Sequence, residues 1–245
     1  MKHVMMLLLC VVLAWSNCSA QDGNPTSKIL LGGVGGMQFL WHAGTIETSD
    51  GMYDCCSFSE GNGVGVSMGF RGFISLGKAT MLRAGVLYEQ WNGEYETVRL
   101  SYPILGAGNT VEDANLDERL DVRLDGITAE TQFVIFVLNP MLYLSAGPAM
   151  HLPSTKTYTH TESIASPHGV RYLDGSQSKV LLDDDISGVS SFFSLRFGVG
   201  MLLELSPGLY ANPDVQYSLA LSDVRDGGEW SVSGFLLSLG VYFAF

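Results

Sequence analysis

The last eleven residues constrain the fold of this chain more than any other segment. From Phe235 to Phe245, every odd position carries a large apolar side chain, and the even positions include Ser238, Gly240 and Ala244. A period of two is that of an extended strand, in which successive side chains point to opposite faces. The alternation therefore predicts a β-strand with one bulky apolar face and one face of small or polar side chains.

Seven further segments show the same alternation. They cover residues 29–40, 64–73, 80–90, 127–137, 141–152, 193–204 and 209–221. Each is close to the ~9–11 residues that a tilted strand needs to cross the hydrocarbon layer of a membrane. After residue 20, no apolar run approaches the ~20 residues of a membrane helix. The apolar content therefore resides in alternating strands, which is typical of barrels whose apolar face meets lipid.

The connections between these segments alternate in length. Short joins rich in turn residues lie at 75–79, 139–140 and 206–208, and long joins lie at 41–63, 91–126, 153–191 and 223–229. Short turns at one rim and long loops at the other are the pattern of outer-membrane barrels. The sequence thus predicts an all-β fold, an eight-stranded antiparallel transmembrane up-and-down β-barrel with short periplasmic turns and long extracellular loops.

Two prolines fall inside the predicted strands. Pro148 and Pro213 each lack the backbone N–H that a strand donates to its neighbour. We therefore expect both to lie at bulges or near a rim.

The final strand also resembles a known targeting signal. The pattern Ser238-x-Gly240-x-x-Phe243-x-Phe245 resembles the closing signal of bacterial outer-membrane β-barrels. The resemblance implies that the barrel-insertion machinery reads these four residues during assembly. The bulky face of this strand would then meet lipid, and the small face would meet the lumen.

Short motifs in several strands carry a second resemblance. The chain resembles the PorT-like small outer-membrane barrels, also grouped as the outer membrane protein β-barrel domain, at Gly85 to Tyr88, Leu144 to Pro148, Phe197 to Gly200 with Glu204, Tyr217 to Leu219, and residues 240–245. The resemblance implies the barrel fold. It implies little about the role, because one fold hosts many functions.

The start of the chain has the features of a secretory signal peptide. Lys2 and His3 precede an apolar run from Val4 to Ala14, and small residues occupy 18–20. We expect a signal peptide at 1–20 that is cleaved near Ala20/Gln21, a short periplasmic lead at 21–28, and the barrel domain at 29–245. The predicted location is the outer membrane of a diderm bacterium. Lipidation of Cys18 is the alternative interpretation of this segment.

Charged residues recur on the predicted lumen face of the strands. An eight-stranded barrel is just wide enough for side chains to fill it, and opposite charges inside would pair because an unpaired buried charge is very unfavourable. The sequence thus predicts a polar lumenal core. A selective pore or a proton path is the competing hypothesis. The predicted members are Arg71, Arg83, Glu89, Glu130, Arg196, Glu204 and Asp214.

Candidate catalytic residues are few. Ser145, His151 and Glu130 could suggest an esterase inside a barrel, but Ser145 and His151 are six residues apart on one strand face, roughly 20 Å. That separation is too long for a nucleophile–base hydrogen bond. The glycine run 32–36 lacks the spacing of a phosphate-binding loop and is expected to be a twisted strand. We therefore predict no catalytic residues and no cofactor-binding residues.

Metal binding is not expected either. Asp183, Asp184 and Asp185 could bind calcium at the cell surface, but an isolated acidic run is more often simply solvated. Cys55 and Cys56 are adjacent and lack the spacing of a zinc site. They could form a vicinal disulfide, bond to another chain or remain as thiols.

These observations favour a non-enzymatic barrel that acts through its external loops. The expected partners are outer-membrane lipid, the insertion machinery during assembly, and an extracellular or secretion-system protein. A lipid-modifying barrel enzyme and a component of a secretion system are the alternative functions. The net charge of −12 argues against a nucleic-acid partner, because phosphates attract Lys and Arg.

Overall fold

The computed structural model describes residues 29–49, 54–105, 111–138, 141–166, 170–172 and 174–245, most of them in β-strands. The predicted signal peptide and periplasmic lead lie outside these residues. Within the described part of the chain, no helix is long and apolar enough to span a membrane.

The barrel wall is formed by eight passes of the chain, called crossings here because each spans the membrane. Two crossings are divided into shorter strands, because β3 and β4 are separated by Trp91 and Asn92, and β7, β8 and β9 follow one another in a single crossing. The strands are β1 (Ile29–Ser49), β2 (Asp54–Gly77), β3 (Thr80–Gln90), β4 (Gly93–Leu105), β5 (Val111–Leu138), β6 (Leu142–Ser166), β7 (Ser178–Asp185), β8 (Phe192–Met201), β9 (Leu203–Ser206), β10 (Leu209–Ala220) and β11 (Ser231–Ala244).

All neighbouring strands pair antiparallel, and the first strand pairs with the last. The β1–β11 ladder runs from Leu30 opposite Ala244 to Ala43 opposite Ser231, which closes the sheet into a ring. Closure leaves no strand edge exposed to lipid, as a membrane requires. The predicted eight-stranded transmembrane barrel is therefore confirmed.

The strands at the long-loop end are longer than the sequence pattern indicates. Segments predicted as loops at 41–63, 91–126 and 153–191 contain the outer parts of β1, β2, β4, β5 and β6 together with β7. The predicted long loops are therefore largely extensions of the strands, which the pattern does not reveal because beyond the membrane the outward side chains turn polar and the apolar alternation fades. Residues 223–229 do form a loop, with only an isolated bridge between Val189 and Arg225.

Both prolines lie within regular ladders, so the expectation of bulges was wrong, although Pro213 does lie near the short-turn end of β10. Pro213 is opposite Leu239, and Pro148 is opposite Leu195, with no register shift in either ladder. Each proline leaves one donor missing, but the hydrogen bonds of the neighbouring residues hold the register through it.

The outer wall carries a continuous apolar belt. In β1 it extends from Leu31 to Trp41, and in β11 it includes Phe235, Leu237, Leu239, Val241 and Phe243, all exposed at the surface of the chain. Exposed apolar area on this scale is not found on soluble monomers, and a band of about this height matches the hydrocarbon layer. The belt therefore marks where lipid surrounds the barrel.

Closure of the ring predicts heat-modifiable migration on a gel. A barrel without free edges resists detergent until it is boiled, so unboiled protein should run at a different position from boiled protein. The measurement is electrophoresis of both samples from the membrane fraction. Identical mobility, or recovery of the protein in the soluble periplasm, would contradict the closed ring.

Candidate functional site

Side chains fill the described lumen in three layers. An apolar layer lies at the short-turn end, a polar layer lies in the middle, and a second apolar layer lies towards the long hairpins. The first layer contains Leu30, Phe73, Met81, Val134, Phe136, Tyr143, Leu202 and Tyr242. The second apolar layer contains Leu40, Ile46, Phe58, Trp91, Tyr95, Leu120, Val122, Leu124, Ile186, Val189, Phe192, Val224, Trp230 and Val232.

Ion pairs form the centre of the polar layer. Arg71 Nε donates to Glu130 Oε1 at 2.6 Å, and Arg83 Nη1 donates to Asp214 Oδ2 at 2.6 Å. Arg196 bridges two carboxylates, since Nη1 donates to Glu130 Oε2 at 2.7 Å and Nη2 donates to Glu89 Oε2 at 2.7 Å. The three guanidinium groups therefore meet three carboxylates, so the buried charges balance and each ion has a hydrogen-bonded counter-ion, which offsets its desolvation.

Uncharged polar side chains connect these ion pairs. Gln132 accepts from Arg83 and donates to Gln216 at 2.7 Å, and Gln216 donates to Asp214 at 2.8 Å. Ser238 accepts from Arg71 and donates to Asp214 at 2.8 Å. The prediction of seven charged members omitted these amides and hydroxyls. Gln132 and Gln216 lie two positions after Glu130 and Asp214, and Ser238 occupies an even position of the last strand. These positions on the lumen face were the available signal.

Six of the seven predicted lumenal residues lie together in this layer, and Glu204 does not. Glu204 is exposed in β9, opposite Tyr210. It follows Leu202, whose buried side chain belongs to the apolar layer that closes the short-turn end. Alternation gave Glu204 the correct face, but the strand has already passed the rim at that point. Its assignment to the lumenal core was therefore wrong.

A series of hydrogen bonds joins Ser194 to Glu89 next to the second apolar layer. Thr128 Oγ1 lies 2.6 Å from Glu89 Oε2 and 2.9 Å from His151 Nδ1, and His151 Nε2 lies 2.8 Å from Ser194 Oγ. The ionised Glu89 can only accept hydrogen bonds, so the Thr128 hydroxyl donates a hydrogen bond to Glu89 and accepts one from Nδ1–H of His151. Nε2 then carries the lone pair and accepts from Ser194, so we infer that the protons all point towards Glu89.

The hydrogen-bonded series from Ser194 to Glu89 has the order of a nucleophile, a base and an orienting acid, with the hydroxyl of Thr128 between base and acid. The serine is Ser194, and not Ser145 as the sequence suggested. Ser145 instead accepts from Arg83. Ser194 is only 1% exposed, and Phe192 stacks on the imidazole of His151 at a centroid distance of 4.5 Å while Trp91 packs edge-on against it. The serine is therefore closed off from solvent in this conformation, and aromatic rings pack on its histidine partner.

The filled lumen predicts that the barrel conducts no large ionic current. Among the described residues, three layers of buried side chains occupy the lumen, and an eight-stranded barrel is only wide enough to hold them. Purified protein inserted into a planar bilayer should give no sustained conductance. Stable, reproducible openings of porin size would contradict a closed lumen and support the pore hypothesis.

Beyond the belt, four strands continue as a single sheet. The β4–β5 ladder reaches Leu105 opposite Val111, the β5–β6 ladder reaches Asn115 opposite Ser166, and β7 adds to β6 from Thr157 onwards. The outer part of the β1–β2 hairpin packs against this sheet, where Phe58 contacts the rings of Tyr95 and His160. His160 is itself buried and pairs with Glu118. We call β4, β5, β6 and β7 in this region the extracellular sheet.

An open cleft of about 820 Å³ lies on the outer wall where the belt meets this sheet. Phe39, Trp41 and Val64 form its apolar side, and Glu94 and Arg123 are among its polar lining. The cleft thus presents an apolar and a polar side at the boundary of the belt, where a lipid carries its head group.

The structure places the remaining predicted residues as follows. Asp183, Asp184 and Asp185 are exposed in β7, and Cys55 and Cys56 lie near the start of β2. The described residues contain no group of three or more His, Cys, Asp or Glu side chains that could hold a metal ion.

The four residues of the proposed insertion signal divide between the two faces of β11. Ser238 and Gly240 face the lumen, and Phe243 and Phe245 are exposed on the outer wall. Replacing both phenylalanines with Asp should reduce the amount of assembled protein, because a charge on the lipid face costs up to a few kcal/mol, depending on depth. The measurement is the heat-modifiable fraction in purified outer membranes.

The matched control places one aspartate on each of two exposed hairpins, as Val111→Asp in β5 and Val180→Asp in β7. Those positions lie outside the belt, so assembly should be close to that of the wild type. Normal outer-membrane levels of the Phe243→Asp, Phe245→Asp variant would contradict both the lipid contact and the signal.

Comparison with known proteins adds no family assignment. No protein-family model and no curated protein matches the chain. Similar solved structures include AlkL in lipid bilayers (12% identity, 94% of this chain and 95% of that chain covered, TM-score 0.42). They also include OprG from Pseudomonas aeruginosa (10%, 92% and 99%, 0.36) and Ail of Yersinia pestis (14%, 89% and 99%, 0.32).

The character of the protein follows from its own strand pairing and surface. Eight antiparallel crossings close into a ring, an apolar belt surrounds the ring, and side chains fill its interior. The chain is an integral β-barrel of the outer-membrane type.

Proposed function

We propose that this protein is a non-enzymatic anchor that binds other proteins at the cell surface through its extracellular sheet. The observation that supports the proposal most is the continuation of β4, β5, β6 and β7 as a paired sheet beyond the belt. A barrel that served only to occupy the membrane would not need strands of 25 or 28 residues, as β6 and β5 are. The filled lumen favours binding over transport.

Position-specific crosslinking in intact cells tests this proposal. A photoreactive residue replaces Val111 or Val180, which are 72% and 55% exposed on the hairpins. We expect discrete protein adducts from both positions. The matched control is Phe70, which is 76% exposed but lies in the belt and should yield lipid adducts only. Absence of protein adducts from both hairpin positions would contradict a surface-binding role.

The Ser194 network supports a second candidate, a barrel enzyme that hydrolyses an acyl ester in the outer membrane. In that case the rings of Trp91 and Phe192 would move to expose Ser194, and His151 would accept its proton. A fluorophosphonate probe distinguishes the two candidates, with Ser194→Ala as the control. Our leading proposal expects no labelling of the folded protein. Labelling that disappears in Ser194→Ala would favour the enzyme.

Finer assignments follow from the sequence motifs. We propose that the chain is a PorT-like barrel, that residues 1–20 are removed near Ala20/Gln21, and that outer-membrane lipid contacts the cleft beside Trp41. The mass of the mature protein from purified outer membranes tests the cleavage site. A mature protein that begins well away from Gln21 would contradict it.

A further inference from the structure

The wall of the barrel opens between two strands above the belt. β2 and β3 pair up to Ser67 opposite Glu89, and above this point β2 meets β4 only at Asn62 opposite Glu94 and Gly61 opposite Tyr95. Beyond these two pairs the strands diverge. β2 then pairs only with β1, and β4 pairs only with β5, among the strands that the structure describes.

The divergence leaves two backbone edges that face each other. One is the segment 54–60 of β2, and the other is the segment 96–105 of β4. An unpaired edge presents a row of N–H and C=O groups that can hydrogen-bond to an added strand. Within the described chain, no other strand pairs with either edge.

An acidic notch lies where the two edges meet. It is an open cavity of about 500 Å³ lined by Ser59, Glu60, Asn62, Glu94 and Glu96. We call this cavity the β2–β4 notch. Arg119 lies 2.9 Å from Glu94, is opposite Glu96 in the β4–β5 ladder and also pairs with Asp121, so one cation serves two of the three carboxylates of the notch. Glu60 and Glu96 remain exposed, so the notch is acidic overall.

We propose that an extended, basic segment of a partner protein adds as a β-strand between β2 and β4, with a Lys or Arg side chain in the β2–β4 notch. The backbone edges supply main-chain hydrogen bonds, and the carboxylates select a cation. The proposal rests on the surface-binding function above and specifies the class of partner and the place where it docks.

The geometry also sets the direction of the added strand. β2 and β4 run antiparallel to each other, so a strand between them is antiparallel to one and parallel to the other. Antiparallel pairing is slightly more stable per residue, and the β4 edge is the longer of the two. The added strand therefore runs antiparallel to β4.

The free edge of β7 is a weaker candidate. β7 pairs only with β6 among the described strands, but its residues are exposed on both faces. Charges on an edge strand discourage pairing with other chains, and Asp183, Asp184 and Asp185 occupy this edge. The same acidic run makes β7 a suitable control for simple charge attraction.

The test uses the full protein in lipid nanodiscs and a labelled ten-residue peptide of alternating Thr and Lys. Two matched peptides carry Glu in place of Lys, or Pro in place of two central Thr residues. We expect the Lys peptide to bind and both matched peptides to fail, because Glu is repelled by the notch and Pro removes ladder donors. Hydrogen exchange should show protection of segments 54–60 and 96–105 and no change at 178–185.

Two charge-matched variants locate the site. Glu60→Lys with Glu96→Lys should weaken binding of the Lys peptide by about tenfold or more, and Asp183→Lys with Asp185→Lys should change it by less than about threefold. Both variants alter the net charge equally. Heat-modifiable migration checks that each is folded, and Glu60→Gln with Glu96→Gln provides a milder second variant that should also weaken binding.

Several outcomes would overturn the proposal. These are no binding of the Lys peptide, equal binding of the Lys and Glu peptides, equal loss in both charge variants, or protection confined to β7. Protection of the two edges that rises with protein concentration without peptide would instead identify a second copy of this chain as the occupant. Protein adducts at Val111 or Val180 together with a negative peptide result would retain the surface-binding function and reject only this docking site.

Discussion

Replacing Arg196 with alanine should lower the free energy of unfolding of the barrel by about 3–5 kcal/mol, the range found when one partner of a buried ion pair is removed. Arg196 is buried and donates to both Glu89 and Glu130, so its loss leaves two carboxylates short of a counter-ion in the lumen. Glu130 keeps Arg71, whereas Glu89 keeps only hydroxyl donors and the neighbouring His151.

The measurement is urea unfolding of the protein in lipid vesicles. Glu204→Ala is the matched control, because this carboxylate was predicted to lie in the same network but is exposed at the short-turn rim. Its effect should be within about 0.5 kcal/mol. Equal effects of the two substitutions would contradict the observed placement of both residues.

Replacing Gly32 with valine should prevent much of the chain from closing into a barrel. A Cβ atom at Gly32 would lie 1.9 Å from the backbone oxygen of Val241 and 2.7 Å from Cα of Tyr242, in the ladder that joins the first and last strands. Real Cβ atoms do not approach backbone so closely, so β1 and β11 would have to separate. Overpacking of this kind costs about 3 kcal/mol.

Gly35→Val is the control for this experiment. Gly35 lies in the same strand, but a Cβ atom at this position would point outward from the barrel and would meet nothing within 4 Å. Valine also favours strands, so Gly35→Val should fold at least as well as the wild type. The measurement is the heat-modifiable fraction after refolding into vesicles. Similar yields for Gly32→Val and Gly35→Val would show that close approach of β1 and β11 is not required.

Alternation along the chain was sufficient to predict the membrane-spanning parts of the strands and the faces of their side chains, but not the strands beyond the belt. The period of two is a local property, so the outward position of Phe243 and the inward position of Asp214 could be predicted without knowing any neighbour. It could not predict where a strand leaves the lumen. Glu204 was misplaced for that reason, because its face was correct and its height along the barrel was not.

Only the tertiary structure decided which side chains meet. Arg83 and Asp214 are 131 residues apart, Arg196 and Glu130 are 66 apart, and His151 and Ser194 are 43 apart. Their pairing depends on the register of every ladder between them, and a shift of one residue would turn a whole strand face outward. The separation of β2 from β4 above Gly61 likewise follows from the ladder pairing. Local sequence determined which residues face the lumen, and the closure of the ring determined their partners.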